Sequence, residues 1–145
     1  MQPPYHPAFV HFPIAFYCLG ALLHFIALHP RLTPPQRADY ARFGYWLLLL
    51  SWGSAIIASL VGLIDKGQLA YDDPRRGALD QHITWGIAFM VVNGLVLYLR
   101  FRWPAILSES RRWLYVGGIL LGLLLLALTG WWGGELVYRW QVGIR

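Results

Sequence analysis

Apolar residues dominate four stretches of this chain. Each is long enough to cross a hydrocarbon layer of about 30 Å at about 1.5 Å per helical residue. The pattern predicts helices at about 7–28, 41–64, 74–102 and 112–133. In the first, Pro7 suits the opening turn, whereas Pro13 sits inside the run and predicts a kink, because the carbonyl of Phe9 loses its donor. The second carries Ser51, Ala55, Ala58 and Gly62 as a stripe of small residues at helical spacing. Such a stripe lets helix backbones approach closely in lipid, so it is expected to face inward. Asp73 and Pro74 read as an N-cap and first residue of the third helix, which Pro104 ends. Ser108 or Ser110 would cap the fourth, and Gly133-Gly134 would end it. Gly118 and Gly122 make a GxxxG spacing that predicts a close helix contact.

The predicted fold is all-α: an integral membrane, up-down four-helix bundle forming a single domain over 1–145. Short connections make neighbouring helices antiparallel. Helices one and three each carry a histidine near their start, but no internal repeat is legible. Composition agrees. The chain is 57% hydrophobic, 16% aromatic and 13% charged, against about 25% charged for a soluble domain. Its net charge of +5 falls in short connections, a pattern of lipid contact and topology control rather than of nucleic-acid binding. Seven basic residues (Arg31, Arg37, Arg42, Arg100, Arg102, Arg111, Arg112) lie on one side and five on the other. The excess puts both termini outside the cytoplasm, on the periplasmic side of a bacterial inner membrane. The first run lacks a basic leader and an Ala-x-Ala site, so it is read as a retained helix. Cys18, alone of its kind, reads as a small buried hydrophobe.

Ionisable residues inside spans are costly and therefore candidates for function. His11 on helix one and His82 on helix three fall at similar depth near the outer face. Two imidazoles from parallel helices at one depth suit bis-histidine ligation of haem b. Ala15 and Gly86, each four residues on, leave space for a macrocycle, and Phe12 and Phe89 could line its edge. Lys66, Arg75, Arg76 and Arg139 would meet its propionates. His24 lies 13 residues after His11, on another face, and reads as a structural hydrogen bonder. Glu135 would pair with Arg139. The alternative site uses His6, His11, His82 and Asp65 to hold copper or zinc. A third reading needs no cofactor: a membrane anchor or accessory subunit of a redox complex. No nucleophile arrangement, P-loop or GxGxxG is present. An electron-transfer or accessory protein is therefore expected rather than a stand-alone enzyme. Besides the lipid bilayer, a quinone, a redox protein and a second copy of the chain are the partners left open.

The motif His6-Pro7-Ala8-Phe9-Val10-His11-Phe12-Pro13-Ile14-Ala15 resembles the opening of a bacterial membrane family known only as domain of unknown function 2231. Gly62-Leu63-Ile64-Asp65, His82 with Gly86, and Gly130-Trp131-Trp132-Gly133-Gly134-Glu135-Leu136-Val137-Tyr138 resemble its later segments in order. The tail from Arg139 to Gly143 departs from the pattern. The resemblance implies a four-helix membrane fold and places His6, His11, Asp65, His82 and the Gly-Gly-Glu corner together near the outer face. Members fused or adjacent to redox domains imply electron transfer. The resemblance brings no known activity, and the haem is inferred from the histidines.

Overall fold

Pro13 has no N–H to donate, and the first apolar run accordingly folds in two pieces. They are α1, His6–Phe9, and α2, His11–Ala27, which meet at Val10. The buried Pro13 offers its own carbonyl to the Ser51 hydroxyl at 2.9 Å, so the kink is fastened to the next helix. These coordinates belong to a computed structural model that describes residues 6–66, 70 and 72–142, without the side chains of Asp65 and Lys66.

Helix α3, Pro34–Lys66, starts well before the expected Ala41. The Thr33 amide and hydroxyl both donate to Gln36 Oε1, at 2.9 and 3.1 Å. This is one arm of a capping box followed by prolines at the first helical positions. With 33 residues, α3 is about 50 Å long and projects beyond the hydrocarbon. Helix α4 spans Arg76–Arg102 rather than starting at Pro74. Just ahead of it the Asp73 carboxylate accepts from the Arg75 amide at 2.9 Å, the bond expected of a cap, and from Arg75 Nε at 2.8 Å. Those bonds from Arg75 hold the Asp73 carboxyl down at about 2. This turn is therefore stabilised above the ordinary carboxylate range and loses that contribution as pH falls through about 2.

A 3₁₀ turn at Ile106–Ser108 leads to α5, Arg112–Tyr138, which has no side-chain cap from Ser108 or Ser110. Helix α5 runs through Gly133-Gly134, so the glycine pair does not end it. A glycine stops a helix only when it adopts the left-handed conformation. Here that residue is Gln141, with φ of 51°.

Four helices are long and apolar enough to cross a membrane: His6–Ala27 taken together, Pro34–Ile64, Arg76–Arg102 and Arg112–Tyr138. They form two tight hairpins, α1/α2 with α3 and α4 with α5, which touch each other far less than their own halves do. Tyr17, Leu48, Phe89, Val96, Tyr115 and Ile119 fill the shared core. Large apolar side chains such as Ile64, Phe101 and Trp131 point outward, as lipid contact requires. Ser51, Ala55 and Ala58 are buried, so the small stripe faces inward as expected.

The hairpins also match each other residue by residue. His82 lies 76 positions after His6, and Thr129 lies 71 after Ala58; each histidine Nδ1 bonds the corresponding carbonyl, at 2.8 Å to Ala58 O and 2.9 Å to Thr129 O. Gly62 and Gly133, again 71 apart, lie under those imidazoles. Asn93 lies 76 after Tyr17, and Ile119 lies 71 after Leu48. The Tyr17 hydroxyl donates to Ile119 O at 3.2 Å, and Asn93 Nδ2 donates to Leu48 O at 3.3 Å. Each of these two bonds crosses from one hairpin to the other. Even the close packing is reciprocal: Gly20 fits against Leu47, while at the equivalent pair Val96 fits against Gly118. These equivalent contacts relate the two hairpins as a repeat.

Candidate functional site

The repeat brings its two leading histidines together. His6 opens α1 and His82 sits in the second turn of α4, and their rings meet edge to face with centroids 5.7 Å apart and planes at 85°. Both are half-buried. Each Nδ1–H donates to a carbonyl of the second helix of its own hairpin, Ala58 O for His6 and Thr129 O for His82. That bond fixes the tautomer, so Nε2 is the basic nitrogen of each ring. Imidazoles that ligate metals are commonly held this way, by a second bond from the other nitrogen.

Two glycines make the arrangement possible. A Cβ at Gly62 would lie 2.9 Å from His6 Nδ1, and one at Gly133 would lie 3.2 Å from His82 Cε1. The Gly-Gly corner is therefore a recess for an imidazole inside a continuing helix. Gly86 lies on the same side of α4, where a Cβ would meet only the Thr129 methyl, at 3.7 Å. One turn past His82, the buried Trp85 Nε1 has no hydrogen-bond partner among the described residues.

The other expected site residues fall elsewhere. His11 is exposed and has no described contact with His82; His6 stands where His11 was expected. Five residues at about 100° each put His11 about 140° round the helix from His6, and His11, Phe12 and Ala15 are exposed. Phe89 is buried in the core against Tyr17, with ring centroids 4.9 Å apart. Arg75 is ion-paired with Asp73, and Arg76 Nε donates to Ala70 O at 2.8 Å. The Asp65 side chain lies outside the described residues, and no group of three or more metal-binding side chains occurs among those described. Glu135 and Arg139 pair at 3.4 Å, as expected from their spacing.

His24 is fully buried near the other end. Its Nδ1 donates to Gly20 O at 2.8 Å, and its Nε2 accepts from the Tyr115 hydroxyl at 2.9 Å. With both nitrogens engaged by the protein, it is a structural histidine. Gly44 makes room for it: a Cβ there would lie 2.6 Å from Nδ1.

Sequence reasoning passed over Thr129, Trp85, Gly62 as a histidine recess, and the contact of His6 with His82. A signal was present, because each hairpin begins with a histidine and ends with a glycine near the same face. No curated protein and no solved structure matches the chain. A family profile described as a predicted membrane protein does match, and its coverage is nearly complete. The chain is a multi-pass membrane protein belonging to the DUF2231 family, matched over residues 2–145.

Proposed function

We propose that this protein is a small membrane electron carrier of the cytochrome b type, with one haem b held by His6 and His82. The observation that carries the reading is the imidazole pair, each ring anchored through Nδ1 to its own hairpin and meeting the other across the loosest interface of the bundle. His6 and His82 would hold the group through Nε2, since Nδ1 of each ring is already bonded to a carbonyl. Near the pair, Gly86 carries no side chain and the buried Trp85 Nε1 has no partner among the described residues. Held by two imidazoles, the group would supply one-electron transfer. The protein's part is to fix both rings and their tautomers. A quinol or another membrane donor would reduce the centre, and a redox protein at the periplasmic face would accept the electron.

A second reading is favoured by the 5.7 Å between the ring centroids, close enough for the pair to share one small ion. In it, the same two histidines would hold copper or zinc. An absorption spectrum and a metal analysis of the purified protein separate the readings. A Soret band supports the haem. A colourless protein with stoichiometric copper or zinc supports the ion. Neither signal, after expression with both haem precursor and metals supplied, leaves the cofactor-free accessory reading and ends the other two.

The histidine pair lies at the end holding the α3–α4 connection, which the basic-residue excess assigns to the periplasm. Reporter fusions after Arg37 and after Arg76 are expected to report cytoplasm and periplasm respectively. Both on one side, or the reverse assignment, would overturn this topology.

A further inference from the structure

The two hairpins differ most clearly on the lipid face of the second. Helices α4 and α5 leave between them a crevice of about 370 Å³, lined by Val92, Leu95, Leu99, Trp113, Gly117 and Leu121. Gly117 leaves its α5 side open: a Cβ there would meet nothing within 4 Å. The position equivalent to Gly117, 71 residues earlier, holds Trp46. From Trp113 to Leu121 the crevice runs about 12 Å along the helix, nearly the depth of one hydrocarbon leaflet.

Its mouth is cationic. The Arg112 guanidinium lies 5.1 Å from the centroid of the crevice residue Trp113. Arg102 follows Leu99 by one turn, and Arg102 and Arg111 both lie over Trp103, at 5.5 and 5.0 Å. Arg111 reaches Glu109 at 3.8 Å, while Arg102 and Arg112 have no carboxylate partner among the described residues. A neutral lipid would leave these guanidiniums unbalanced, and a free anion would leave the apolar crevice unexplained.

We propose that this crevice is a binding site for an anionic phospholipid. One acyl chain lies along Gly117, and the phosphate is held by Arg102 and Arg112. The site sits at the opposite end of the bundle from the histidine pair and does not depend on that pair's occupant. Arginines near a membrane surface attract anionic lipid strongly enough for about a fivefold preference each.

The test is native mass spectrometry of the full chain in detergent, titrated with phosphatidylglycerol or phosphatidylcholine carrying identical acyl chains. The wild type is expected to retain one phosphatidylglycerol, with a preference of about 25-fold over phosphatidylcholine. Arg102→Gln with Arg112→Gln should abolish the preference while leaving weak binding of both lipids. Gly117→Trp, matching what the first hairpin carries, should block both lipids, and the smaller Gly117→Leu should weaken both; circular dichroism checks that each variant is folded. Equal retention of the two lipids by the wild type would overturn the headgroup assignment. Unchanged phosphatidylglycerol binding in folded Gly117→Trp and Gly117→Leu would overturn the crevice.

Discussion

If His6 and His82 hold the proposed haem, His82→Ala and His6→Ala are each expected to abolish its low-spin spectrum, whereas His11→Ala leaves it unchanged. The two losses should be of similar size. Both imidazoles have the same anchoring, one carbonyl bond through Nδ1 and one glycine recess, supplied by equivalent positions of the two hairpins. Removing either imidazole would leave the proposed group one protein ligand short, so the spectrum of any haem retained would change. His11 points away from the pair and has no described contact with it. His24→Ala is expected to lower stability without altering the spectrum of the folded fraction, because both its nitrogens are bonded within the protein. Absorption spectra of the four variants, normalised to folded protein, decide the matter. Loss in His11→Ala with retention in His6→Ala would overturn the assignment of ligands and return the site to the pair expected from depth alone.

Gly122→Ala, a change of one methyl, is expected to destabilise the bundle by about 1–3 kcal/mol. A Cβ at Gly122 would collide with the Tyr17 hydroxyl and lie 2.5 Å from its Cζ. Tyr17 cannot retreat. It is fully buried, its hydroxyl donates to Ile119 O, and its ring packs on Phe89. Packed interiors accept added volume only by displacing neighbours, and here the neighbour joins the two hairpins. Tyr17→Phe removes the atom in closest collision, so Gly122→Ala should cost less in that background. Thermal or denaturant unfolding of the two single variants and the double variant gives the coupling. Additive effects would show that Gly122 and Tyr17 do not share the contact.

The membrane character, the four spans and the inward small stripe were legible in the sequence, because hydrophobic length and residue size act locally and along one helix. The kink at Pro13 was legible for the same reason, since a missing N–H acts on its own turn. The early start of α3 was written in Thr33-Pro34-Pro35-Gln36 as capping chemistry, although the apolar pattern began later. The partnership of His82 was not legible. Depth along the bilayer can be counted from residue number and made His11 the better match, but which face of the first span meets α4 is set by tertiary packing. The glycine pair at 133–134 looked like a helix end because glycine ends helices in isolation; packing gave it another use, as the recess for His82. The repeat was hidden because a hairpin conserves positions of contact rather than residue types. Tyr17 and Asn93 share a role with unlike side chains, and Gly20 and Gly118 sit on opposite members of equivalent pairs. Local chemistry along the chain determined how many helices form and where they cross. Only the tertiary packing decided which imidazoles meet, because that depends on the rotation of each helix against its neighbours, which no single segment specifies.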